Sequence, residues 1–588
     1  MKYKLRNHFS REPEYALQDI LFDRGVKDIE NYMYPTNRCE LNPYDLDNIR
    51  AGANMLLRHL KQESKICFIV DSDMDGVSSS AILWLYIKHI YPNAQLSFTV
   101  HTHKQHGLSD KITWLENQDF DLVIAPDAAS YDIEEQNRLD ACGIDCLILD
   151  HHSQMYDDNG NPIIPIASHT IVINNQLSPD YENKTLCGAG VVFKFCEVLD
   201  DLLNIKVADN FLDLVALGEI ADVMDRTNTE TNYYITEGLA YIQNEGFRTL
   251  LAAQSFSLKE KVIEPWPGLT AIDIAFYIAP LINAICRVGT IQEKETMFYC
   301  FVEPNRIVKS TKRGAKPDDT ETAAEQTARV GANAKARQNK IKERAMDLID
   351  FKIQKDQLYD NNIILVELDD EDDIPQEMTG LIAMAVVSKY GKPCMIGRRN
   401  SHDELQGSIR NNGNFAGLPS FKAFLENSGL MNYVAGHDNS AGWGLAGNKV
   451  DQLLNYANHQ LDAAAFENCY LVDYVLDARE GYHDLLTQLA SHPEYFGNHV
   501  DEITIVLTNI SLAHIMVMGQ NKDCMKISYN NIDYVKFKDV DFIEQIQNNR
   551  DKTLTVVGKL NLNTFNGKTT TQVLINDYEL ISENKYEF

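Results

Sequence analysis

Three short β-rich runs in the first third of the chain each lead straight into aspartate. Lys65–Val70 is followed by Asp71-Ser72-Asp73-Met74-Asp75-Gly76, Asp121–Ala125 by Pro126 and Asp127, and Cys146–Leu149 by Asp150-His151-His152. Between them lie amphipathic patterns, one through Ala81, Ile82, Leu85 and Ile90 and another through Ile133 and Leu139. Two more strands are expected at Leu96–Val100 and Thr170–Ile173. Strands alternating with helices predict an α/β fold with a mostly parallel sheet covered on both faces. Ligands bind at the carboxyl ends of the strands in such a sheet, so these acids are expected to meet at one edge.

Their chemistry points to divalent cations. Carboxylate oxygens with one or two imidazoles suit Mn²⁺ or Mg²⁺, and a crowded set of acids cannot all stay ionised without a cation. Two ions about 3.5–4 Å apart activate a water and clamp both oxygens of an in-line phosphoryl displacement. A single Asp at a strand end is usually a cap or turn former, but three such sites and a His pair are not explained that way. Asp-x-Asp-x-Asp-Gly also opens calcium loops, which need Glu at position twelve; counted from Asp71, that position is Ile82. Gly76 lets the backbone turn tightly into the next helix.

The remaining chain divides by pattern. Residues 1–64 read as a helical lead-in, with a helix over Asn48–Leu60, and 65–308 as the catalytic α/β domain, helical from Ala189 to about Phe301. Lys309–Thr320 is a charged linker and Glu321–Asp350 a long connecting helix, together filling 309–361. A second, smaller α/β domain is expected over 362–466 and a β-rich domain over 467–588, with Asn566–Gly567 as a hairpin turn signal. Residues 1–14 are polar and charged, and no run approaches the roughly 18–20 uninterrupted apolar residues of a membrane helix. A cytoplasmic protein with no membrane partner follows as the expectation. The eleven cysteines, Cys142 and Cys146 being the closest pair, show no zinc-site spacing and read as reduced thiols. The net charge of −31 argues against a uniformly basic nucleic-acid binder; any such site must be local.

The motifs together resemble the DHH phosphoesterases in their RecJ-like form. Asp71 to Gly76 looks like the first motif, and Asp150-His151-His152 is similar to the signature triplet. Leu214 to Val223, with Asp222, resembles the fourth motif, and Cys187-Gly-Ala-Gly190-Val the glycine-containing helix start between them. Pro280 to Arg287 resembles a segment near the DNA path. Gly407-Ser408-Ile-Arg410, Gly436-His437 and Ala441-Gly442 look like the DHH-associated C-terminal domain, and Leu554–Ile581 like the RecJ OB-fold. Resemblance also reaches back to Ile20–Val26. The resemblance implies Asp73, Asp75, Asp127, His151 and Asp222 as ligands of two Mn²⁺ or Mg²⁺ ions, with Asp71 an additional ligand or a supporting group. Asp75 and Asp127 count among the catalytic residues, with His152 beside the scissile phosphate, and Asp150 orients the histidines. Ser408, Arg410, Gly436 and His437 would bind nucleic-acid phosphates, with Arg287 a second contact.

Some positions depart from the family pattern. Asp127 is followed by Ala-Ala-Ser130, no Arg precedes Gln105-His106-Gly107-Leu108 (His101 and His103 lie nearby), Leu281 follows Pro280, and Ala435 precedes Gly436. These departures bear on recognition of the strand's 5′ end, not on the metal ligands. Lys335, Arg337, Lys340, Lys342 and Arg344 on the long helix either line a strand-binding groove or form a solvated face. Tyr529, Tyr534, Phe537 and Phe565 offer stacking surfaces or core.

The implied activity is a 5′→3′ exonuclease on single-stranded DNA that releases mononucleotides, in repair or recombination, with a single-strand-binding protein or helicase as partners to consider. RNA or short oligonucleotides are the alternative substrates, and a non-catalytic replication scaffold of the same fold is a third reading.

Overall fold

Alternate residues of the strand Lys65–Val70 (β1) face opposite layers: Ile66, Phe68 and Val70 join one hydrophobic cluster, Cys67 and Ile69 another. The same split divides Leu122 and Ile124 from Val123 and Ala125, and Leu147 and Leu149 from Cys146 and Ile148. A period of two with both sets apolar is what a parallel sheet buried on both faces requires.

The computed structural model describes residues 1–103, 105–155, 163, 168–266, 268–565 and 567–582. Five parallel strands form the first sheet, β1, Gln95–Val100 (β2), Leu122–Pro126 (β3), Asp145–Asp150 (β4) and Thr170–Asn174 (β5), in the order β2-β1-β3-β4-β5. The chain moves outward from β1 to β2, then reverses to β3 and beyond. Right-handed crossovers therefore leave β1 and β3 toward opposite faces, and a crevice opens between their carboxyl ends.

Two compact units make up the chain. One holds this sheet and comprises Arg24–Arg337 with Glu494–Asp501; the other comprises Met1–Asp23, Gln338–Pro493 and the residues from Glu502 onward. In the first unit, helices Met74–Ile90 (α1), Gly188–Leu203 (α2) and Leu212–Ala221 (α3) pack together beside the sheet. The apolar stretch Ala271–Val288 is long and apolar enough to cross a membrane by composition. Here it is two helices, Ala271–Tyr277 and Ala279–Val288 (α4), that bury Ile274, Ile282 and Ile285 in the core.

The second unit carries a five-stranded sheet of Ile364–Leu368, Cys394–Arg399, Glu404–Arg410 (β6), Tyr433–His437 (β7) and Ser440–Ala446 (β8). A seven-stranded sheet follows, centred on the long hairpin Thr553–Phe565 and Lys568–Ile581. Phe565 pairs with Lys568 and Gly567 has φ +74, so the chain does turn at this point; Asn566 itself lies outside the described residues.

Several expectations need correction. The stretch 1–64 is not wholly helical: Lys2–Leu5 is a strand paired in parallel with Cys469–Val472 in the second unit, a partner too remote for any local pattern to announce. The linker 309–320 is closed by a small antiparallel pair, Ile307–Lys309 with Thr320–Thr322. Buried Glu321 anchors it by accepting from Ser310 Oγ, the Thr311 amide, Gln326 and Arg329. The long helix consequently begins at Ala323 and runs to Lys355. Cys142 and Cys146 are free thiols, one exposed and one buried.

The crevice depends on close backbone approach. A Cβ on Gly188, the first residue of α2, would lie 2.6 Å from Asp127 Cβ and 2.9 Å from its Cα. Gly188→Ala is therefore expected to lower the melting temperature through overpacking worth about 1–3 kcal/mol; thermal unfolding that matches wild type would contradict this packing.

Candidate functional site

Backbone geometry positions the acids at the crevice. Asp73 caps α1 by accepting the Gly76 amide at 3.2 Å. Asp75, in the first turn of the same helix, accepts the Gly188 and Ala189 amides at 2.7 and 2.9 Å. It thus sits on the positive end of α2. Asp127 follows β3 in the left-handed region at φ +67, its amide donating to Leu149 O at 2.7 Å. Asp222 ends α3. Glycines make room for these carboxylates: a Cβ on Gly76 would meet Asp71 Cβ at 2.4 Å, and one on Gly218 would meet Asp75 Oδ1 at 2.4 Å.

The imidazoles complete the cluster. His151 Nε2 lies 3.1 Å from Asp127 Oδ1, 3.6 Å from Asp222 Oδ2 and 3.8 Å from Asp75 Oδ2. Asp150 stands behind, accepting the Ser130 and His151 amides and His152 Nδ1 at 3.0, 2.7 and 2.7 Å. Among the described residues, three groups of side chains are close enough to hold an ion: Asp127 with His151 and His152; Asp75 with His151 and Asp222; and Asp71 with Asp73 and His106. A pocket of about 150 Å³ beside them is lined by Asp73, Met74, Asp75, Ala221, Asp222, Asn283 and Arg287. The structure thus brings together all six acids and histidines expected as ligands, with His152 and Arg287.

Burial pushes the Asp127 carboxyl well above the ordinary carboxylate range, and the charges of Asp75, Asp73, Asp71 and Asp222 push it further. Burial likewise raises Asp71, against the hydrogen bond from His106. Burial lowers His151. Burial opposes ionisation of Asp150 too, but its bond to His152 and the charges of both histidines outweigh it and hold the carboxyl well below the usual range. For His152, burial favours the neutral ring, yet the bond to Asp150 and the charges of Asp150, Asp71 and Asp222 raise it to about 9. Buried Asp71 Oδ1 and Asp127 Oδ1 accept no hydrogen bond among the described residues. Oxygen-rich donors with a neutral imidazole, two of the oxygens buried and without a hydrogen bond, fit Mn²⁺ or Mg²⁺.

Three residues of this neighbourhood were not singled out from sequence. Lys294, buried, donates to His101 O and Thr102 O at 3.0 and 2.9 Å and fixes the end of β2. Asn283 Oδ1 accepts the Met74 amide at 3.2 Å. His106 Nδ1 lies 2.5 Å from Asp71 Oδ2. The signal for His106 was present, since Gly107 sits beside it at φ +75, marking a shaped turn.

In the second unit Ser408 and Arg410, two apart on β6, share a face. That face meets the start of the helix Thr379–Tyr390: Ser408 Oγ is 2.9 Å from Thr379 Oγ1, and a Cβ on Gly380 would touch the Arg410 guanidinium at 2.4 Å. Arg410 and His437 both pair with Ser440 of β8, which places them in one row, and exposed Gly436 precedes His437 at φ +130. The four residues expected to bind phosphates are thus neighbours at one end of the sheet, beside a helix N-terminus suited to anions.

The basic and aromatic residues divide. Arg337 is paired with Glu293 at 2.7 Å, whereas Lys340 and Arg344 are exposed. Tyr534 is fully buried and belongs to the core, not to a stacking surface; Phe537 is exposed, Tyr529 half-buried, and the Phe565 side chain lies outside the described residues.

Removing one buried charge gives a test. Because the folded state holds a proton on Asp127 that the unfolded chain releases, stability falls as pH rises above the ordinary carboxylate pKa toward the raised one. Asp127→Asn is expected to raise the melting temperature of the metal-free protein, increasingly so with pH, while removing hydrolysis. Wild type should gain about 2.7 kcal/mol per site from Mn²⁺ at a hundred times its Kd, and Asp127→Asn markedly less. Equal Mn²⁺ stabilisation of both proteins would contradict a metal role for Asp127.

Comparison with known proteins places the chain in a family. The DHH family, N-terminal domain, matches residues 65–219, and the RecJ OB domain matches residues 472–577. YorK, a Bacillus subtilis SPbeta prophage protein provisionally named a single-strand DNA-specific exonuclease, is 34% identical over 601 residues, covering 100% of both chains. The single-stranded-DNA-specific exonuclease RecJ of Bacillus subtilis is 22% identical, over 95% of this chain and 67% of its own. The crystal structure of Thermus thermophilus RecJ in complex with Mn²⁺ superposes with a TM-score of 0.69 at 19% identity, over 96% of this chain and 76% of that one; a second structure of that protein holds Mg²⁺, at a TM-score of 0.62. From end to end, the chain belongs to the RecJ-like exonuclease family of DHH proteins.

Proposed function

We propose that this protein hydrolyses single-stranded DNA from the 5′ end, releasing mononucleotides in a divalent-metal-dependent reaction. The observation that carries the reading is the meeting of Asp75, Asp127, His151 and Asp222, four residues spread over 148 positions of sequence, around one imidazole nitrogen. Its support is a relative matched over its whole length that is provisionally named a single-strand DNA-specific exonuclease, and a RecJ structure that holds Mn²⁺.

Asp71, Asp73, Asp75, Asp127, His151 and Asp222 hold the ions in this reading. A bound pair of Mn²⁺ or Mg²⁺ ions supplies Lewis-acid stabilisation and makes water a nucleophile at neutral pH. The chain's own groups do the rest. His152, its Nδ1 fixed on Asp150, places a cationic ring beside the scissile phosphate, where it stabilises developing negative charge. Arg287, partly buried on the pocket wall, offers a guanidinium to an adjacent phosphate. Ser408, Arg410, Gly436 and His437 grip a further phosphate, and the OB domain extends the hold on the strand. Repair or recombination is the corresponding setting, with a single-strand-binding protein or helicase supplying the substrate.

Single- and double-stranded DNA and matched RNA, labelled at either end, are expected to separate the readings. With Mn²⁺, mononucleotides should appear first from the 5′ end of single-stranded DNA; preferential RNA turnover or internal cleavage would refute the proposal. Asp73→Ala and His151→Ala should abolish product with the fold retained by circular dichroism. Arg410→Ala should weaken strand binding and reduce the slope of log K against log salt by about 0.7, the value for one phosphate contact on a single strand. An unchanged slope would remove Arg410 from the phosphate grip.

A further inference from the structure

The three side-chain groups able to hold an ion are not independent. Asp127–His151–His152 and Asp75–His151–Asp222 share His151, so they surround one position. Asp71, Asp73 and His106 have no member in common with either, so they mark another. The nitrogen donor at this second position comes from the loop after β2.

Several contacts tie the described residues of that loop. Gly107 is left-handed, and a Cβ there would lie 2.1 Å from Asp132 Oδ2, the same oxygen that accepts the Leu108 amide at 2.7 Å. Ser72 Oγ donates to His103 O at 3.1 Å, and Lys294 holds the carbonyls of His101 and Thr102. His106 is thereby delivered to Asp71, whose side chain is 1% exposed and whose Oδ1 accepts no hydrogen bond among the described residues. His101 Nε2 stands 3.8 Å from that oxygen, too far for a hydrogen bond, so the buried carboxylate oxygen still has room and need for a cation.

We propose that His106 is the nitrogen ligand of the second divalent ion, beside Asp71 and Asp73, and that it biases that position towards Mn²⁺ over Mg²⁺. The inference rests on the metal-dependent reading above. Its chemistry is general: Mg²⁺ prefers an all-oxygen octahedron and parts reluctantly with water, whereas imidazole suits the transition metals. The six acids and histidines expected from sequence supply a single imidazole to the ions. His106 adds a second, so that each of the two positions has a nitrogen donor beside its carboxylates.

Calorimetric titration and electron paramagnetic resonance of Mn²⁺ bound to the full chain test this without using turnover. Wild type should bind two ions per chain with a spin-coupled spectrum. His106→Ala should keep one and bind the other at least ~10-fold more weakly, leaving an uncoupled Mn²⁺ signal. His106→Asp should restore the second ion while letting Mg²⁺ compete for it about tenfold better, in keeping with an oxygen donor. Two ions of wild-type affinity in His106→Ala would overturn the assignment. Loss of the second ion in both variants would also overturn it, because the loop would then matter only for its shape. Wild type that binds no divalent ion would instead bring down the metal-dependent reading itself.

Discussion

Placing several carboxylates, most of them buried, in one crevice is the constraint on which this structure rests. Burial and neighbouring like charges both resist ionisation; burial above all raises the Asp127 and Asp71 carboxyls, and nearby acids add to it. The fold answers with fixed backbone dipoles. Asp75 lies on the first amides of α2, Asp73 on the first turn of α1, and Asp150 on two loop amides and a histidine. These contacts orient the oxygens and leave them able to accept a cation. Glycines at 76, 188 and 218 belong to the same solution, because each lets a helix approach a carboxylate where a methyl group would collide. Charge, caps and close approach are one arrangement, and the reversal of strand order between β1 and β3 provides its space.

An acidic protein that binds a polyanion must separate its charges locally. The net charge of −31 includes the acids of the crevice, where bound cations would reverse the local sign. Cationic and polar side chains lie elsewhere in small groups: Arg287 on the crevice wall, and Ser408, Arg410 and His437 around the start of a helix in the other unit. Exposed Lys340 and Arg344 add cations on the long helix. Each group is modest, and none requires a basic surface overall. Whole-chain charge was therefore a poor guide to the partner, whereas residue type at strand ends was a good one.

The parallel sheet and its acids were legible because both obey local rules. Apolar runs of five or six residues between turn formers specify the strands, and in a parallel sheet the residue after each strand falls on the ligand edge. Asp73, Asp75, Asp127 and His151 could be placed for that reason. Two kinds of information were not local. Lys2–Leu5 pairs with Cys469–Val472 across more than four hundred residues, so its strand character depends on a partner that sequence does not reveal. Tyr534 looked like a stacking ring because an aromatic residue near a strand-binding domain fits surface and core equally; only its pairing within a seven-stranded sheet decides for the core.

The loop between β2 and Leu108 shows why a departure from a family pattern must be read in three dimensions. The sequence lacks an arginine there and has His101 and His103 nearby, which invites treating either as its stand-in. His101 cannot serve. It is 1% exposed, its Nδ1 is bonded to Asp110 at 2.7 Å, and its carbonyl is held by Lys294. His103 is exposed, but its carbonyl is tied to Ser72, so the backbone there serves the first aspartate segment. His106 Nδ1 comes within 2.5 Å of Asp71 Oδ2, whereas buried His101 Nε2 stays 3.8 Å from Asp71 Oδ1. A guanidinium in this loop would meet the substrate as a permanent cation and bidentate donor. An imidazole beside a buried carboxylate offers a metal a lone pair instead. Under the proposed assignment of His106, this loop therefore serves an ion at Asp71 and Asp73 rather than the end of the strand.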